Sequence, residues 1–174
     1  MLRAASKAIL SGAALAASLV VISLLAGCGG GGSDSTQAGT GSGSIESFGE
    51  EASPGDRAAM TKVVQEFLRA RAESDWAKAC SLIAAPMVEN LRKLVSQSPQ
   101  LKNRGCPELV KAVIATIPAK TIAAGKRIRV TGVRIEGDHG FVLYRDARGT
   151  SSAFPVAREG SIWKAGALVG PSFP

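Results

Sequence analysis

The chain offers little to chemistry: one histidine, one tyrosine and three cysteines in 174 residues. Asp138 and His139 stand side by side, an acid and a base of the kind that transfers protons. Gly137 and Gly140 bracket them, however, and a polar dipeptide held between glycines reads as a hairpin tip in water. A solvated tip has no burial with which to tune proton affinity. A serine nucleophile needs a histidine base within reach, so no catalytic triad is expected from this composition. Tyr144 is the stronger candidate, because it lies mid-strand in "FVLYRD" and can face an interior. Phe67, Trp76 and Trp163 complete the set of candidate pocket residues, each inside an apolar pattern that would serve a core equally well. No residue is assigned a catalytic role, and no cofactor or metal is expected. His139 has no second histidine to join it, and the cysteines lack the paired spacing of a zinc site.

The cysteines point elsewhere. Arg3 and Lys7 precede an almost uncharged run from Ala8 to Ala26, the basic and apolar regions of an export signal. The run ends at Leu25-Ala26-Gly27-Cys28, which resembles the bacterial lipobox. That resemblance implies residues 1–27 as a lipoprotein signal peptide and Cys28 as the lipidated first residue of the mature chain. The expected address is the outer face of a bacterial membrane, held by lipid on Cys28. Plain cleavage and an uncleaved anchor are the alternatives, and both still export the chain. Cys80 and Cys106 then remain as a pair, read in an oxidising compartment as one disulfide.

Residues 28–55 are dominated by Gly and Ser, carry only acidic charges and are expected to be a disordered linker, with a reach of roughly 30 Å. Two of the 21 bases and four of the 14 acids precede residue 56, so the remainder is more basic than the overall +7. Such a surface suits contact with anionic headgroups or polymers as well as simple solubility. Nucleic acid is not an expected partner, since no recognised motif organises the few aromatic residues for stacking.

Residues 56–174 are expected to form one domain. Ser53-Pro54-Gly55-Asp56 is a helix start, followed by Met60, Val63, Val64, Phe67 and Leu68 at helical spacing. Ser74-Asp75, Pro86 and Cys106-Pro107 open three further helical segments, and Pro118 stops the last. From Lys126 the period changes to two. "RIRVTGVRIEG" slips phase at Thr131-Gly132, as a bulge would produce, and three more strands follow at short turns. Pro155 cannot donate to a ladder, so its strand should lie at an edge or bulge there. In the second strand Phe141 and Leu143 compete with Val142 and Tyr144 for the buried face.

The expected class is α+β, with N-terminal helices packed on a curved antiparallel four-stranded meander. "VVQEFLRARAESDWAKACSLI", "VTGVRIEGDHGFVLYRD" and "FPVAREGSIWKAGAL" resemble small exported members of the nuclear transport factor 2-like superfamily. The resemblance implies a cystatin-like cone, a bent sheet wrapping the first helix around a pocket open at one end. The favoured function is non-catalytic binding of a small apolar ligand or an envelope protein. An isomerase-like or dehydratase-like enzyme using Tyr144 with an inward acid, and an electrostatic adaptor to anionic envelope polymers, are the other two readings.

Overall fold

The computed structural model describes residues 45–173, so the export signal, Cys28 and most of the Gly/Ser-rich stretch lie outside the described residues. Regular structure begins before the expected boundary at residue 56. A single 3-10 turn (Ile45–Ser47) leads into β1 (Glu50–Glu51), and Ala52 is already buried. The expected linker is corrected at this end. Its last residues are held by backbone pairing and by two arginines, neither of which composition reveals: Arg57 pairs with Glu51, and Arg134 donates from Nε to the Phe48 carbonyl (2.9 Å) and from Nη2 to that of Gly49 (2.8 Å).

Among the described residues there are five helices, and the first four follow the punctuation of the sequence. α1 (Pro54–Ala72) is capped by Ser53, whose hydroxyl accepts from the Asp56 N–H at 3.2 Å, with Pro54 in its first turn and Arg69 and Arg71 in its last. It ends at Ala72, and the chain turns away at Ser74, held at φ 59°. Asp75 caps α2 (Trp76–Ser81), accepting from the Lys78 N–H at 3.0 Å. Prolines open α3 (Ala85–Leu94) and α4 (Cys106–Ile114), and Pro118 leads into α5 (Ala119–Ala124), a helix the sequence pattern did not announce. Cys80 on α2 and Cys106 at the head of α4 are joined by a disulfide, with Cα atoms 5.9 Å apart.

Among the described residues the sheet is antiparallel and has six strands, not four. β2 (Arg129–Glu136), β3 (His139–Arg145), β4 (Ser151–Glu159) and β5 (Ile162–Ala165) form the expected meander, with β1 added beside β2 and β6 (Ser172–Phe173) beside β4. Both additions are two residues long and too short to carry a period. The register of β2 against β3 shifts between Val130 and Gly132, the bulge read from the phase slip. Gly137 (φ 58°) and Gly160 (φ 61°) each take the positive-φ place in a two-residue turn. Pro155 lies inside the sheet, opposite Phe141 of β3. Its carbonyl accepts from the Gly166 N–H at 2.9 Å, just past the end of β5, so the proline nitrogen faces the one stretch of β4 that no strand pairs on that side. The position is an edge within an interior strand.

The core lies between α1 and the sheet. Met60, Val63, Val64, Phe67 and Leu68 meet Val133, Val142, Phe154, Val156 and Trp163, all buried. Gly140 is needed where the helix crosses β3, since a Cβ there would stand 2.5 Å from the Met60 methyl and 2.6 Å from the Arg134 carbonyl. Of the other helices α2 and α5 pack on α1, α4 packs on α2 and α3 on α4, and the link between α2 and α3 is tied to β5 through the Ala84 N–H to the Ala165 carbonyl (2.9 Å).

Candidate functional site

The four candidate pocket residues do not converge. Phe67 has no exposed surface and packs against Phe154 with ring centroids 5.5 Å apart, deep in the core. Trp163 is also buried, and its indole N–H donates to Asp56 Oδ1 at 2.8 Å. Arg158 stacks over the same ring at 4.4 Å and donates to the same oxygen at 2.7 Å. The indole N–H, then the Ser53 hydroxyl and Arg158, hold the Asp56 carboxyl below the usual aspartate range. This clamp joins the start of α1 to the β4–β5 hairpin. Phe67 is therefore a core anchor, and Trp163 is one that also lines an open depression of about 270 Å³ with Val63, Leu82 and Ile162.

Trp76 and Tyr144 border two other spaces. Trp76 lines an open groove of about 500 Å³ between the end of α1, α4 and α5, with Ile114, Ile117 and Ile122 as its other large apolar walls and Arg71 and Lys111 as its cations. Tyr144 lines a smaller cavity of about 50 Å³ on the sheet side of α5, together with Arg71, Thr121, Ser152, Asp146, Arg148 and Ser172. Burial raises the Tyr144 hydroxyl above its usual range, opposed by a hydrogen bond with Ser152 and by the charge of Arg71. The phenol is therefore a proton donor at neutral pH.

No protein-family model, curated protein or solved structure matches the chain.

An inward acid beside Tyr144 is what proton-transfer chemistry would require, and Asp146 is the acid in that cavity. Its carboxylate is already engaged. Oδ1 accepts from the backbone N–H of Arg148 (2.8 Å) and Thr150 (3.0 Å), and Oδ2 from the Arg148 guanidinium. Burial raises its proton affinity, but these bonds outweigh burial and leave the group below the usual range. Asp146 thus shapes the β3–β4 turn. Asp138 and His139 are both exposed at the β2–β3 turn, away from either space.

Two features escaped the sequence reading. Arg71 borders both the groove and the cavity, and at 4% exposure it is the one buried cation among the described residues. A signal was present: residues 60, 64, 67 and 71 lie on one helical stripe, so a charge closes an otherwise apolar face. The second feature is a basic corner. Arg129 and Arg145 are directly opposed in the β2–β3 register, both exposed, and Arg127 lines the same shallow depression of about 470 Å³. Among the described residues none of the three guanidinium groups has a hydrogen-bonding or ion-pair partner. Like charges placed directly opposite each other cost stability.

No group of three or more metal-ligating side chains occurs among the described residues, and no helix there is long and apolar enough to cross a membrane.

Proposed function

We propose that the chain is an exported binding protein, leashed to the outer face of a bacterial membrane by lipid on Cys28, whose groove takes a small apolar ligand. The groove is the observation that carries this reading: about 500 Å³ lies within the range of small-molecule sites, and Trp76, Ile114, Ile117 and Ile122 wall it. A nuclear transport factor 2-like cone is the architecture we assign. The features that support it are a long first helix laid along an antiparallel sheet and the bulge in β2 that bends that sheet. A binder rather than an enzyme follows from Asp146, which is occupied at its turn and not available to Tyr144.

The test is titration of the full chain with N-phenyl-1-naphthylamine, a neutral apolar fluorophore, against an Ile117→Glu variant. A charge set into the groove wall is expected to weaken probe binding at least tenfold, since a desolvated carboxylate costs more than about 1.4 kcal/mol. Equal binding by both proteins would overturn the assignment of the groove.

The basic corner favours a second reading, an adaptor to anionic surfaces. Cys28→Ser protein separates the two by fractionation. Release into the soluble fraction at every salt concentration is expected if lipid alone holds the chain. Retention at low salt with release at high salt would assign the attachment to the arginines instead. Retention throughout would place the anchor in residues 8–26.

A further inference from the structure

We propose that Arg71 is the receptor for a small, singly charged oxyanion held in the cavity between α5, β3, β4 and the C-terminal segment. The inference is independent of the apolar groove.

The first observation is a missing charge. Arg71 is 4% exposed, yet the ion pairs of the described residues all belong to other side chains, and Asp146, the acid in its cavity, is held by Arg148. The Phe67 ring, 6.0 Å from the guanidinium carbon, is the remaining compensation. A buried cation with no counter-ion is costly, and a fold keeps one where an anion arrives.

The second observation is the direction of the spare donors. Nη1 donates to the Leu168 carbonyl at 2.7 Å, which fixes the plane of the guanidinium. Nε is buried without a partner, and Nη2 has no acceptor among the described residues. Nε–H and the Nη2–H beside it form the edge that meets two oxygens of one carboxylate or phosphate. Nη2 lies 3.1 Å from where a Cβ on Gly125 would stand, and Gly125 lines the cavity, so glycine leaves the approach to Nη2 open, while Nε itself is buried.

The lining matches the ligand in kind and number. Thr121, Tyr144, Ser152 and Ser172 bring hydroxyls to the same space. Arg148 and Asp146 cancel, which leaves Arg71 uncompensated and calls for a single negative charge. About 50 Å³ holds roughly three or four water-sized positions, enough for a carboxylate end-group or dihydrogen phosphate and too little for a sugar or nucleotide.

Thermal unfolding of the dialysed full chain tests the site in sodium acetate, sodium phosphate at mildly acidic pH, and sodium chloride at matched ionic strength. Saturable stabilisation beyond chloride is expected. A larger rise in acetate assigns the site to carboxylate end-groups, and a larger rise in phosphate assigns it to phosphate. Arg71→Met, which keeps the stem and its packing, is expected to melt identically in all three salts. Tyr144→Phe provides the second arm should Arg71→Met fail to fold. Removing its hydroxyl is expected to raise the half-saturating anion concentration roughly threefold to tenfold. Coincident wild-type curves in the three salts, an anion response retained by Arg71→Met, or an unchanged half-saturation in Tyr144→Phe would each overturn the proposal.

Discussion

Full-length protein with Cys80 and Cys106 both replaced by alanine is expected to melt roughly 10 to 15 °C below the parent. The bridge spans 26 residues, and closing a loop of that length removes about 3.5 kcal/mol of conformational freedom from the unfolded chain. The structure shows why little else compensates. Inside the loop, α3 buries only Leu91 of its own residues, and Leu94 is 73% exposed. The segment from α3 to α4 is thus held mainly at its two ends, by the tie of Ala84 to β5 and by the disulfide, with Leu91 and Val95 as its buried contacts in between. Differential scanning calorimetry of the oxidised parent, the reduced parent and the double variant checks this. The reduced parent and the variant should coincide, because both lack the same constraint. A drop of less than about 3 °C would mean that packing of α2 on α4 carries the segment and the bridge is incidental.

What the sequence disclosed and what it concealed divide along physical lines. α1 was legible because helix start, apolar stripe and last-turn cations agree, and the bulge in β2 was legible because Ile128 and Val130 fall out of phase with Val133 and Ile135. The pairing of Cys80 with Cys106 followed from counting once Cys28 was set aside. β1 and β6 were not legible, since two-residue strands are made by backbone pairing alone. The face of β3 was undecidable for a reason the structure supplies: both faces are covered. Val142 and Tyr144 are buried on the core side, while Phe141 meets Phe48 edge-on at 5.0 Å, from a segment that composition had assigned to the linker. Leu143 lies over Gly132, where a Cβ would come within 3.1 Å of its methyl. The candidate site was half legible. Trp76, Tyr144 and Trp163 do border empty space, but in three separate places, and the walls around Trp76 and Tyr144 come in large part from α5 and from Arg71. α5 is short and has no side-chain cap to mark its start, and one arginine on an apolar stripe is easily counted as surface.

Phe67 is where the reading of a pocket and the reading of a core separate most widely. Phe67→Ala is expected to destabilise the domain by about 3 to 5 kcal/mol, the cost of emptying an aromatic site that cannot collapse. Collapse is blocked on each side: α1 holds the position by its own hydrogen bonds, Phe154 stands on a central strand, and neither Leu68 nor Val64 can turn into the space without leaving its own contacts. Urea denaturation should show the midpoint falling with the slope unchanged, because the folded surface is the same. The fluorophore should bind in the native range with its parent affinity, since Phe67 lines neither the groove nor the cavity. The pattern is the reverse of that expected for Ile117→Glu, whose partly exposed position lets probe binding fail while the fold survives. Were Phe67→Ala to abolish probe binding at full stability, the ligand would have to enter between α1 and the sheet, and the groove bordered by Trp76 would be only a surface crease.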